Sequence, residues 1–157
     1  MVALWQFLAA TLVSYLGLPL GFCLGFLTKE EMPTARKYFP VLERIVILAI
    51  AAITLDSLGV ALAARAAVYA LFLLLSLFAI PLPIIYCLVG ITLAVSRNDR
   101  VLLISSLVFI FGLLSGSDYF AVAVRKKFGV VAKARSLVLK NAVYVAIAIL
   151  AFQYLKF

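Results

Sequence analysis

Charged residues divide the chain into long apolar stretches at residues 3–27, 45–64, 66–96, 101–124 and 141–155. About 20 apolar residues are needed for a helix to cross the hydrocarbon core of a bilayer, so each stretch can hold a membrane helix. The pattern predicts an all-α, polytopic integral membrane protein. We expect a bundle of five transmembrane helices that forms a single transmembrane domain over residues 1–157.

The third stretch, 66–96, is long and contains Pro81 and Pro83. A helix between the flanking Arg65 and Arg97 would be about 48 Å long at 1.5 Å per residue, slightly more than the roughly 40–45 Å of a bilayer with its head groups. We predict one tilted helix that is kinked at the two prolines. The alternative is two short helices joined at the prolines, which gives six spans.

Lysine and arginine collect in cytoplasmic loops, so their distribution bears on this choice. With five spans the positive charges divide equally between the two sides, and with six they divide ten to four. Six spans would place both long loops in the cytoplasm and both termini outside. We retain five as the prediction, because a Pro-x-Pro turn without polar side chains is poorly suited to meet water. The acid-free segment 125–140 then sets the orientation, with the N-terminus inside and the C-terminus outside.

The composition excludes a soluble scaffold, since 68% of the residues are apolar against roughly 45–50% in soluble domains. The net charge of +8 is concentrated in a segment, 125–140, that contains no acid. Apolar residues at helical spacing make this segment amphipathic, so we expect it to lie in the membrane surface. Its cations would bind anionic lipid head groups rather than nucleic acid; they are Arg125, Lys126, Lys127, Lys133, Arg135 and Lys140.

Two acidic residues, Asp56 and Asp118, lie inside the predicted spans. Ionisable groups within a membrane are costly and usually mark a functional site. With five spans the two carboxylates reach similar depths, and if they face each other the pair could bind a cation or exchange protons. Arg65 should not pair with Asp56, because nine residues along one helix place the two side chains on opposite faces. Four hydroxyl groups accompany the acids: Thr54, Ser57, Ser115 and Ser117.

These residues predict a small transporter or channel for cations or protons in the cell membrane. Structural alternatives exist for both acids, since Asp118 could cap the segment that follows it and Asp56 could hydrogen-bond a neighbouring helix.

No cofactor is expected. The chain has no His and two Cys without CxxC spacing, which makes a metal site improbable.

Three glycines in the first span, Gly17, Gly21 and Gly25, are spaced four residues apart. Small residues at this spacing allow two membrane helices to approach closely. The contact could lie within the bundle or between copies of the chain. It supports an alternative function as a non-catalytic subunit or scaffold of a larger membrane complex, and we expect a homo-oligomer or other membrane subunits as partners.

The segment Ser115-Gly116-Ser117-Asp118 resembles the Gly-x-Gly-Asp motif of intramembrane aspartyl proteases. Serines stand where that motif has its glycines, and the resemblance covers four residues. It implies an enzyme in which a second membrane aspartate, here Asp56, completes a catalytic pair. The protease is a third hypothesis.

Overall fold

The computed structural model describes residues 4–75, 82–96, 100–125 and 130–156. Every element in this part of the chain is a helix, as the apolar pattern predicts. The helices are α1 (Leu4–Leu27), α2 (Met32–Ala35), α3 (Phe39–Ser57), α4 (Leu62–Leu75), α5 (Leu82–Val95), α6 (Val101–Arg125), α7 (Val130–Asn141) and α8 (Val143–Lys156).

Three helical segments are long and apolar enough to cross a membrane: Leu4–Leu27, Val101–Ala123 and Ala134–Tyr154. Large apolar side chains on the outside of the bundle fit this assignment. On α1, for example, Leu12, Leu16 and Leu20 are each about half exposed and form a stripe at the spacing of one helical turn. A contiguous surface of this kind is rare in soluble proteins and is typical of contact with lipid.

Glycines bring α1 and α6 into close contact. A Cβ atom added at Gly17 would overlap the backbone of Phe109, and one added at Gly21 would overlap the backbone of Leu113. Residue numbers rise together in the two helices, so α1 and α6 run parallel. The glycine stripe therefore packs inside the bundle, which was one of the two contacts that its spacing allowed.

The last helix runs antiparallel to α1. The ring of Phe7 near the start of α1 stacks on that of Phe152 near the end of α8, with the ring centroids 4.2 Å apart. Farther along α1, the hydroxyl oxygens of Ser14 and Tyr144 are 2.7 Å apart. The two ends of the chain thus lie at the same end of the bundle.

Helix α3 runs antiparallel to α6 along most of its length. Just before α3, Arg36 pairs with Asp118 near the end of α6, and Asp56 near the end of α3 pairs with Arg100 just before α6. We name the two ends of the bundle the Asp118 end and the Asp56 end. They are about 27 Å apart, since 18 residues of α6 separate Arg100 from Asp118.

The stretch predicted as one kinked helix over 66–96 contains most of α4 and all of α5. Pro81 lies outside the described residues, and Pro83 stands in the first turn of α5, where proline is tolerated because the missing N–H has no helical partner. The prediction of a single kinked span is therefore not confirmed. Each of the two helices is 14 residues long.

The second half of the segment 125–140 packs into the bundle. Leu137 of α7 is 2% exposed, and the Tyr15 hydroxyl of α1 donates a hydrogen bond to the Val138 carbonyl oxygen. The apolar stripe of this segment therefore meets protein here. By length and composition, the last candidate span begins at Ala134, earlier than the predicted start at residue 141.

Candidate functional site

Asp118 forms an ion pair at its end of the bundle. Its Oδ1 atom accepts a hydrogen bond from Nε of Arg36 at 2.9 Å, and both side chains are about one third exposed. Arg36 reaches this position because Pro33 and Pro40 begin two successive helices, α2 and α3, and the turns between these helices fold the chain back over the end of α6. The negative charge of Asp118 is thereby compensated.

A second acid, Glu43, lies beside this ion pair. Glu43 belongs to the second turn of α3, outside the predicted membrane span 45–64, and its carboxyl group interacts with the Ser115 hydroxyl and the Asp118 charge on α6. The pKa of the Glu43 carboxyl is raised to about 7, mainly by burial. The Ser115 hydroxyl acts to lower this pKa, and the Asp118 charge acts to raise it. A carboxyl group with this pKa exchanges its proton at neutral pH.

Sequence analysis missed Glu43, because the residue stands beside Arg44 in a charged region and looks solvated there. A signal was available in the pattern of α3. The buried residues Val46, Ile50, Thr54 and Ser57 of this helix recur every three to four positions, and Glu43 precedes Val46 by three. It therefore lies at the head of the face that packs against the bundle.

Asp56 lies at the opposite end of the bundle from Asp118. Its two carboxylate oxygens bind Nη1 of Arg65 at 2.8 Å and Nη2 of Arg100 at 3.0 Å, and its side chain is 46% exposed. The expectation that Asp56 cannot pair with Arg65 is wrong. It assumed one helix over 45–64, whereas α3 ends at Ser57 and the chain turns at Gly59, which has a φ of +66°.

The structure therefore does not bring Asp56 and Asp118 together. Each carboxylate is bound by arginine, and the length of α6 separates them. The protease hypothesis needs Asp56 and Asp118 as a neighbouring pair, and they are too far apart to form it. Among the described residues, no group of three or more His, Cys, Asp or Glu side chains could hold a metal ion.

The hydroxyl groups of the predicted site have different partners. Thr54 and Ser57 donate to carbonyl oxygens of their own helix, at 2.8 and 2.7 Å. Ser117 donates across the helix contact to the Gly21 carbonyl oxygen at 2.8 Å. Ser115 is 4% exposed, and its Oγ atom has no hydrogen bond of ordinary geometry within the described part of the chain.

For four of the six predicted lipid-binding residues, the structure describes no side chain. Lys126 and Lys127 lie outside the described residues, and the helix backbone alone is described at Arg125 and Lys133. Arg135 and Lys140 are exposed on α7. Lipid binding by this segment stays a prediction.

Comparison with known protein families, with curated proteins and with solved structures gives no match. The site geometry therefore carries the functional argument.

The raised pKa of Glu43 predicts an unusual pH dependence of stability. Below pH 4.5, the ordinary value, the carboxyl is protonated in both the folded and the unfolded chain; between 4.5 and about 7 the unfolded chain loses the proton first. Wild-type stability should fall across this window, by up to about 3 kcal/mol. The Glu43→Gln variant should unfold like the wild type at pH 4 and be more stable at pH 8.5.

Denaturant unfolding in detergent micelles measures both free energies of unfolding. The exposed loop acid Glu30 provides the control, since Glu30→Gln removes the same charge without touching the bundle. A Glu43→Gln variant whose stability relative to wild type is the same at both pH values would contradict the burial of this carboxyl group.

Proposed function

We propose that this protein is a small multi-pass transporter or channel of the cell membrane that handles protons or cations at the Glu43 carboxyl. The carrying observation is that this largely buried carboxyl interacts with both Ser115 and Asp118 of α6. Arg36 compensates Asp118, so Glu43 supplies the exchangeable charge of the site. Asp56 then has a separate role, as the partner of two arginines at the other end.

Helix directions support six membrane crossings. Helix α3 runs antiparallel to α6 between the two ends of the bundle, so a membrane that α6 crosses is also crossed by α3. Because α1 and α6 run in the same direction, an odd number of crossings lies between them. Crossings by α3, α4 and α5 meet this condition, whereas one crossing by α3 and one by a fused α4–α5 helix do not.

Six crossings also give an orientation. Both long basic loops then lie at the Asp118 end, which carries most of the positive charge and is expected to face the cytoplasm. Glu43 would exchange protons with the cytoplasmic side. The basic segment 125–140 would meet the anionic lipids of that leaflet.

Cysteine labelling tests this topology. In a background with Cys23→Ser and Cys87→Ala, single cysteines replace Leu4, Glu30, Leu58 and Tyr154, all of them exposed. We expect a membrane-impermeant maleimide to label positions 4, 58 and 154 from outside intact cells and position 30 only after lysis. Labelling of positions 4 and 154 from opposite sides would indicate five crossings and overturn the arrangement.

Flux measurements test the function itself. Purified protein in vesicles that enclose a pH-sensitive dye should dissipate a pH gradient faster than protein-free vesicles, with valinomycin and K⁺ present to remove the opposing potential. Parallel vesicles with radioactive Na⁺ or Rb⁺ report cation flux. Rates equal to those of protein-free vesicles for every ion would reject the proposal.

A second candidate function, as a subunit of a larger membrane assembly, is favoured by the position of α4. Leu62 of this helix is 82% exposed, and an apolar groove of about 390 Å³ lined by Leu48, Ala49, Ala52 and Tyr69 lies between α3 and α4. We propose a second copy of the chain or another membrane subunit as the partner at this surface. A monomeric mass in mild detergent with no copurifying protein would reject this candidate.

A further inference from the structure

Two buried hydroxyl oxygens near Glu43 have no hydrogen-bond partner among the described residues. They are the phenol oxygen of Tyr86, whose residue is 0% exposed, and Oγ of Ser115, at 4%. Burial of a hydroxyl group without a partner is unfavourable, and native structures usually satisfy such groups with protein or ordered water. The pair therefore points to a bound molecule.

Both oxygens lie along one face of α6. A Cβ atom at Gly112 would stand 3.1 Å from the Tyr86 phenol oxygen, so that phenol reaches α6 at the level of Gly112. Ser115 follows three residues later, on the same face and about 4.5 Å farther along the axis. The absence of a side chain at Gly112 makes room for the phenol.

The Glu43 carboxyl completes the group. Its charge acts on the Tyr86 phenol, as do the neighbouring phenols of Tyr144 and Tyr15, and it lies beside the Ser115 hydroxyl without a hydrogen bond of ordinary geometry to it. Polar groups of α3, α5 and α6 thus face the same region of the bundle. A buried water molecule typically needs two to four such partners.

We propose that Tyr86, Ser115 and Glu43 hold an ordered water molecule, and that the ion exchanged at this site is the proton. This inference rests on the proposed function and specifies its ion. A bare metal cation with oxygen ligands usually takes six or more of them, whereas the described side chains of the site offer two hydroxyls and one carboxyl group. That set matches one water molecule and one exchangeable proton.

The proton step balances within this group. The O–H bond of the Glu43 carboxyl breaks and a new O–H bond forms on the water, which leaves a carboxylate and a hydronium ion; the reverse step reloads the acid. Tyr86 and Ser115 stay neutral and orient the water, so Tyr86 is a positioning residue. Its ring is held edge-on against the Tyr144 ring, with the centroids 5.7 Å apart.

Infrared spectroscopy of the purified protein tests the water site without a flux assay. The carbonyl band of the protonated Glu43 carboxyl is assigned by its loss in Glu43→Gln. In Tyr86→Phe we expect this band to move to higher frequency, because the carboxyl loses a hydrogen-bonded water. The matched control, Tyr154→Phe, removes the phenol of a residue that is 86% exposed and should leave the band unchanged.

Flux gives the second readout. Proton flux in vesicles should fall at least about tenfold in Tyr86→Phe, which corresponds to a single lost hydrogen bond to a reacting group, and it should be unchanged in Tyr154→Phe. An unmoved band together with full flux in Tyr86→Phe would overturn the water site and leave the proposed function standing. A band that shifts when Na⁺ is added, or Na⁺ flux without proton flux, would overturn the proton assignment.

Vesicles that conduct no ion would reject the proposed function, and with it the role of the site in transport. The infrared measurement would still decide whether a water molecule binds at Glu43. A shift of the band in Tyr86→Phe would support this water, and an unmoved band would contradict it. Circular dichroism of each variant checks the fold. Exchange of Tyr for Phe keeps the ring that packs in the core.

Discussion

Replacing Glu43 by glutamine is expected to lower proton flux through reconstituted vesicles by roughly a hundredfold or more. Glutamine keeps the size of the side chain and its contact with Ser115 but cannot release a proton. The flux should fall even though the variant is more stable than the wild type at alkaline pH. A residue that reduces stability and sustains activity is characteristic of a functional site.

The proton flux of the wild type, measured as a function of pH, gives a second test of Glu43. The rate should change with a midpoint near pH 7 on the side of the vesicle that Glu43 faces. In Asp118→Asn the midpoint should move to lower pH, because the charge that raises the Glu43 pKa is removed. Glu30→Gln serves as the control and should reproduce the wild-type profile. Undiminished flux in Glu43→Gln would exclude this carboxyl as the exchanging group.

Replacing Gly21 by alanine is expected to lower the free energy of unfolding by about 3 kcal/mol. The added methyl group would overlap the backbone of Leu113, and the backbone of a parallel helix cannot turn aside as a side chain can. The two helices would have to separate, with a loss of the contacts around Ser117. Denaturant unfolding in detergent micelles measures the change.

Gly25 provides a matched control in the same helix. A Cβ atom at this position would meet Cδ1 and Cβ of Phe120 at 2.9 and 3.0 Å, whereas at Gly21 it would stand much closer to the Leu113 carbonyl oxygen. The smaller overlap needs a smaller shift, so we expect Gly25→Ala to cost about 1 kcal/mol, less than Gly21→Ala. The gain in helix propensity from Gly to Ala is similar at both sites, so the difference reports the backbone contact. Equal costs at the two glycines would show that the parallel contact of α1 with α6 is wrong.

The glycine stripe shows how far local spacing leads. Glycines four residues apart predict a face of α1 that another helix approaches closely, and the structure has such a face. Spacing alone cannot identify the partner, because any helix with small residues or a smooth backbone surface fits a glycine groove. The pairing of α1 with α6, and its parallel direction, depend on how the remaining helices pack around this pair.

The acids show the opposite limit. Asp56 and Asp118 were predicted to form the functional site because they lie in apolar stretches. That prediction assumed that every residue of an apolar stretch is buried in the membrane. In the folded chain Asp56 lies where α3 ends and binds two arginines, so it is a surface residue. Glu43 lies in a charged region of the sequence, but in the fold it packs against α6 and is largely shielded from water.

The charge tally depends in the same way on topology. Lys and Arg divide equally between the two sides of the five-span arrangement. The turn chemistry of the Pro-x-Pro sequence therefore decided the predicted number of spans, and the acid-free segment 125–140 decided the predicted orientation. The stacking of Phe7 on Phe152 places these two residues, which are near opposite ends of the chain, at the same end of the bundle, as our proposal of six crossings requires. A contact between residues so far apart in the sequence leaves no trace in a local hydropathy pattern.

By itself, the sequence indicated that this protein lies in a lipid bilayer and that its fold is all-helical. Its apolar runs have the length of membrane helices, which satisfy their own backbone hydrogen bonds within the bilayer. Tertiary structure alone decided which helices run side by side, which acids receive an arginine, and which one is left to titrate near neutral pH. The reason is physical: a pKa depends on the neighbours and on the water within a few ångströms, and in a bundle those neighbours come from distant helices.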